Sequence, residues 1–250
     1  METTNIPSNT TVLSALLRAD FTTQWRNRKS VLLILLVPVA ILLSWKGVVV
    51  KLGGPFVLAN SITIGLNAIG LMGYSNAIAR DRDKGIFQRL RVAPLTAWSI
   101  MASRLMVQLA MIVLVTVAVF IVGFYADGIK LSVAGYVVGL LAAVLSGAVY
   151  LGLGQAIVGL IKNADTVNAV SRLVYIVFIM VGMLAELGAM GQKVKEAVKW
   201  SPYSAVKNLL SDGMQPQHWT QQSTTALLVT IGYAILFSAM GIKWFRWSSK

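Results

Sequence analysis

Few residues in this chain have the type and spacing for covalent or metal chemistry. It holds one histidine, His218, and no cysteine, so a zinc site of the usual nitrogen and sulfur kind has no ligand set. The stretch "GFYADGIK" at 123–130 has glycines five apart, but Gly128 is followed by Ile129 rather than lysine, so it is not a phosphate-binding loop. No nucleophile elbow and no Ser/His/Asp set can be assembled. Two features remain. Glu186, in "VGMLAELGAM", is an ionisable group inside an apolar run, which makes it a pathway or gate candidate. The alternative is a carboxylate that reaches water or pairs with Lys193 or Lys195. The second feature is "RDRDKGIFQRLRVAPLTAW" at 80–98. Seven of its first twelve residues are charged in a chain where charged residues make up 12%.

The elements that position these groups are apolar. Hydrophobic residues account for 56% of the chain and the mean hydropathy is +0.72. Several runs reach the ~20 residues a helix needs to cross a bilayer, and they lack the polar face of a soluble core helix. The fold class is an all-α integral membrane protein of one domain, 1–250. Six spans are expected at about 30–49, 56–79, 98–125, 132–161, 167–190 and 223–245. Pro38 should kink the first, and the fourth must tilt or leave the membrane at its ends. Gly135 and Gly139 form a small-xxx-small spacing that allows close packing. The opening residues lack a basic region followed by an apolar one, so no cleavable signal peptide is expected.

Within the N-terminal 1–29, Leu13, Leu17, Phe21 and Trp25 recur every four positions opposite Ser14, Arg18, Thr22 and Arg26. That is an amphipathic helix suited to the membrane interface, or else a juxtamembrane lead-in. All ten arginines lie on, or near span ends facing, the side that holds both termini, so the termini are expected to be cytoplasmic. Arg104 and Arg172 are read as snorkelling to that side. The net charge of +13 therefore belongs to topology and headgroups rather than to nucleic acid. The last outer loop, 191–222, should carry two short amphipathic helices broken at Ser201-Pro202, lying on the surface or dipping back into the protein.

The charged stretch then falls in the cytoplasm between the second and third spans, at 80–97. Ile86, Phe87 and Leu90 can share one face of a short helix with Arg82, Arg89 and Arg91 around it, and Pro94 ends it. This is an apolar knob with a charged rim, offered to a cytoplasmic partner; the plainer reading is a loop that sets topology. The chain can form a membrane path, expected to be apolar and lined by the second and fifth spans, but shows no energy source.

This layout and this segment resemble the type-2 permease subunits of ATP-binding cassette exporters. After their second span these carry acidic–x–Gly–(Thr)–(Leu/Phe)–x–x–Leu–x–(Val/Thr)–x–Pro–(Leu/Val). Asp83, Gly85, Phe87, Leu90, Pro94 and Leu95 fall on that form, with aspartate for the usual glutamate and Ile86 for the usual threonine. "KWSPYSAVKNLL" also looks like the family's segment before the last span, which places Pro202 and Tyr203 with Glu186 as candidates for the substrate path or gate. The resemblance implies a dimer of this chain, or a pair with a sister permease, in a bacterial cytoplasmic membrane. It implies two separate ATPase subunits that hold ATP and Mg, the chain itself binding no cofactor and catalysing nothing. Arg82, Asp83, Gly85, Ile86, Phe87, Arg89, Leu90 and Pro94 would form the coupling helix that docks the ATPase, aided by the N-terminal interfacial helix. The rival readings are an ion-driven transporter or channel, and a membrane scaffold without transport.

Overall fold

The computed structural model describes residues 9–92 and 97–245, and among them there is no strand. The order is α1 (Asn9–Arg26), α2 (Arg28–Ser44), α3 (Lys46–Leu52), α4 (Gly54–Asn67), a π-helical stretch (Ala68–Tyr74), α5 (Ser75–Asp83) and α6 (Ile86–Val92). Then follow α7 (Ala97–Asp127), α8 (Val133–Leu160), α9 (Ala164–Glu186), α10 (Gln192–Val198), α11 (Pro202–Gly213), a 3-10 turn (Pro216–His218) and α12 (Gln221–Trp244). Among the described residues five helices are long and apolar enough to cross a membrane: Gly54–Asp83, Ser99–Asp127, Val133–Leu160, Ala164–Glu186 and Gln221–Trp244. A sixth is present if α1 and α2, bent by 62° to one another, count as one broken span. The chain is an all-α, multi-pass membrane protein.

The first span is shorter than its apolar run suggests. The helix passes through Pro38 without ending and stops at Ser44. Trp45 makes the break, its ring stacked on Phe56 with centroids 6.3 Å apart. Pro38 packs against Gly65 of α4, where a Cβ would lie only 3.3 Å from the proline ring. The sharp bend lies ahead of the proline, between α1 and α2.

Continuous helix from Gly54 to Asp83 forms the hub. Gly53, at φ 85°, and Pro55 in the first turn start it, and it is almost wholly enclosed by its neighbours. Its π-helical stretch, which inserts one residue into the turn, coincides with a close crossing of α8. A Cβ on Gly70 would sit 2.5 Å from the carbonyl carbon and oxygen of Tyr150. Gly154 of α8 in turn packs onto the Gly70 carbonyl. Around this hub, α8 and α12 form the most extensive helix pair, meeting through Gly152 against Ser238 and Gly241 against Gln155. Gly135 and Gly139 both seat Met214, just past α11, and Gly139 also lets α8 approach Phe120 of α7. At ~1.5 Å per residue α8 is about 42 Å long, beyond the ~30 Å hydrocarbon core. By contrast α9 turns Leu173, Ile176, Val177 and Met180 outward on one face, the surface lipid or a second subunit would cover.

Candidate functional site

One end of the bundle gathers α1, α6, the α8–α9 turn and the end of α12. The central helix extends four residues further toward this end than the apolar run implies, because Arg82 and Asp83 have partners there. Arg82 is 2% exposed. Its guanidinium donates to the carbonyls of Val158 (2.7 Å), Ile161 (2.7 Å) and Lys162 (2.5 Å). These are the last carbonyls of α8 and the turn after it, which lack partners within the helix. The Asp83 carboxylate accepts from the Ala164 N–H at 3.2 Å, the first residue of α9. Arg82 is therefore not on a solvent-facing rim, and neither residue lies on the short helix that follows.

That helix, α6, hangs from a tight joint. Lys84 N–H donates to Arg80 O and Gly85 N–H to Arg82 O, both at 3.0 Å, and Arg89 N–H reaches Gly85 O at 3.2 Å. Gly85 sits at φ 68°, a left-handed conformation that costs other residues ~1–2 kcal/mol, which gives the glycine of this segment a backbone reason. Phe87 is turned into the chain rather than outward. It is fully buried, edge-on to Phe245 with centroids 5.9 Å apart, because the end of α12 closes over α6. Ile86 is half-buried, while Gln88 and Arg89 are exposed. Pro94, Leu95 and the side chain of Leu90 lie outside the described residues.

Beside this joint, Arg104 of α7 bridges Asp20 of α1 (3.3 Å) and Asp81 of α5 (2.7 Å). Ser103 Oγ donates to Asp20 at 2.6 Å. Arg104 is thus an ion-pair centre rather than a snorkelling side chain, whereas Arg172 is exposed. On α1 the packing row is Val12, Leu16 and Asp20. The row Leu13, Leu17, Phe21, Trp25 is left half-buried to exposed, with Phe21 44% and Trp25 65% accessible.

At the opposite end Glu186 is the last residue of α9. Its partner is neither Lys193 nor Lys195 but Lys207 of α11, at 2.9 Å. Lys207 is 4% exposed and lies 4.9 Å from the centre of the Phe56 ring. Burial lowers the pKa of this ammonium and Glu186 opposes that shift. Ser201 caps α11, accepting from Ser204 N–H at 3.2 Å, and Pro202 fills its first turn. Tyr203 is fully buried and donates to Asn60 Oδ1 of α4 at 3.0 Å. So α11 is inserted among α4, α8, α9 and α12, while α10 has no buried residue. Glu186, Lys195, Lys199, Trp200 and Asp212 line a cavity of about 390 Å³ between these helices.

The two spans expected to line an apolar path pack on each other through Val167, Val170 and Val174 of α9 and also through polar groups. Ser75 and Ser171 share a hydrogen bond of 3.0 Å. Asn76 reaches Asn168 at 3.5 Å, and Asn67 reaches the Tyr175 carbonyl at 3.5 Å. Tyr74 donates to Gln155 of α8 at 2.8 Å. Within the chain these bonds form a closed, polar seam. Among the described residues no group of three His, Cys, Asp or Glu side chains could hold a metal ion.

Sequence reasoning missed Lys207 as the partner of Glu186. Its signal was a lysine four residues after Tyr203, on the inward face of an amphipathic helix. It also missed the Asp20–Arg104–Asp81 bridge, which joins positions with no spacing rule between them.

A comparison with curated proteins found no match. The profile of the family described as ABC-2 type transporter matches residues 11–215, which runs from α1 through α11 and takes in the α5–α6 joint, the inserted α11 and the spans between. With the helical membrane architecture and both ends of the bundle in hand, the chain belongs to the ABC-2 type transporter family, as its membrane-spanning permease subunit.

Proposed function

We propose that this chain is the permease of an ATP-driven exporter in a bacterial cytoplasmic membrane. It would work as a dimer, with itself or with a sister permease, and be driven by separate ATPase subunits that hold ATP and Mg. The observation that supports the reading best is α6. It is a short helix held off the end of the most buried span by a two-residue turn, with Gln88 and Arg89 facing out. A helix so placed can receive a push from a soluble partner and pass it to the bundle core. The arginine-rich end is then cytoplasmic, and the row Leu13, Leu17, Phe21, Trp25 rests in the interface. At the far end α11, locked by Glu186–Lys207 and Tyr203–Asn60, is the gate. The path opens between protomers, because the seam within the protomer is closed.

The test is co-purification with the ATPase encoded beside this chain. Phe87→Asp would disrupt the packing on Phe245, so the informative change is Arg89→Glu on the exposed face. Wild type should bring down the ATPase and Arg89→Glu should lose most of it while inserting normally. A wild-type chain that purifies alone and carries solute under an ion gradient would return the protein to the secondary-transporter reading.

A further inference from the structure

Arg82 and Asp83 are adjacent in sequence, yet they hold the two sides of one turn. The cation sits on the last carbonyls of α8 and the anion on the first N–H of α9. Each charge matches the helix end it meets, since a helix is partially negative at its C-terminus and positive at its N-terminus. We infer that this pair is a clamp that transmits displacement of α6 to the fourth and fifth spans, so that both residues position the moving helices rather than dock the ATPase. The inference rests on the coupling role proposed for α6.

Three features support transmission over mere capping. Only Lys84 and Gly85 separate Asp83 from α6, and both their N–H groups are bonded back to α5, so the joint has little slack. Arg82 is almost completely buried and makes three carbonyl bonds, so it cannot let go of the turn without leaving its own charge unpaired. And α9, whose start the clamp holds, ends at Glu186, which is bonded to α11. A shift of the 161–163 turn is thereby carried along one rigid helix to the far-end gate. The route is a chain of bonded groups, and its coupling can be measured.

Because the chain has no cysteine, paired labels can be introduced directly. Spin labels at Tyr125→Cys and Leu187→Cys, both exposed at the far end, report the α7–α9 separation in the lipid-embedded complex with the co-encoded ATPase, with and without ATP. Wild type should show a nucleotide-dependent change in distance. Arg82→Lys and Asp83→Ala should keep the ATPase bound and hydrolysing at half the wild-type rate or more, while losing over half of that change. Asp83→Glu, which keeps a carboxylate, should restore it. Asp83 is exposed, so its variants serve even if Arg82→Lys does not fold. A full-sized change in Asp83→Ala would overturn the clamp, as would loss of ATPase binding, which would make the pair a docking element. A wild-type complex that hydrolyses ATP without moving the labels would also overturn it and leave the exporter reading intact. Failure of the wild type to bind the ATPase would remove that reading itself.

Discussion

Glu186→Gln isolates what the far-end lock contributes. The Lys207 ammonium is nearly inaccessible, and its contacts are one carboxylate oxygen at 2.9 Å and the face of Phe56. Breaking a buried pair by removing one partner costs ~3–5 kcal/mol. Glu186 retains 16% side-chain exposure, the amide oxygen of glutamine can still accept, and the Phe56 ring continues to hold the cation. Together these reduce the expected loss to about 2–3 kcal/mol. At roughly 2–4 °C per kcal/mol for a chain of this length, thermal unfolding in detergent should fall by about 5–10 °C. The double variant Glu186→Gln/Lys207→Met removes the buried charge as well, and replacement of a buried pair by apolar groups is often neutral or better. It should therefore recover most of the lost melting temperature, while gating stays altered because the ion pair between α11 and α9 is gone, leaving packing such as Tyr203 on Gly182. A single variant that melts within about 1 °C of wild type, or a double variant worse than the single, would refute the reasoning.

Three further outcomes follow from the same geometry. Gly70→Ala forces a methyl group against the Tyr150 carbonyl, so the π-helical stretch and α8 must separate; melting temperature should drop more than for Glu186→Gln, whereas Gly232→Ala, with nothing within 4 Å, should be neutral. Tyr203→Phe leaves Asn60 Oδ1 without its donor in a buried site, a loss of ~1–3 kcal/mol to be read by the same melting assay, and Tyr203→Phe combined with Asn60→Leu should cost less than the single change. Asp20→Asn removes one of the two carboxylates on Arg104; protease should then cleave α1 faster than in wild type, and unchanged cleavage would mean that packing by Val12 and Leu16 holds α1 unaided.

Much of the architecture was legible because the membrane imposes few solutions. Runs of apolar residues longer than ~20 must be helices that satisfy their own backbone groups. The spans, the short helices after Gly191 and the break at Ser201-Pro202 therefore emerge within a few residues of where hydropathy places them. The exceptions are instructive. The first span ends at Trp45 because that ring found Phe56, a contact that no local pattern encodes. The polar seam of Asn67, Ser75 and Asn76 with Tyr175, Asn168 and Ser171 was hidden inside two runs apolar enough to look like the walls of an apolar path.

The site residues divide in the same way. That a charged, half-apolar segment with a glycine follows the second span is written in 80–91. The need for glycine there is local too, being a φ that other residues adopt only at a cost. What Arg82, Phe87, Arg104 and Glu186 do is not local. An arginine at the end of an apolar run reads as snorkelling, and a phenylalanine beside charges reads as an exposed knob, because water and headgroups are the only neighbours a sequence displays. Three-dimensional packing brings carbonyls from residues 158–162, the ring of Phe245, the carboxylates of Asp20 and Asp81, and the ammonium of Lys207 within reach. In a low-dielectric interior each charge must take such a partner. The sequence by itself determined that the protein spans the membrane and where its charges collect. The tertiary structure alone decided which charge meets which, since those partners lie 21 to 84 residues apart and only the folded bundle sets that distance to ~3 Å.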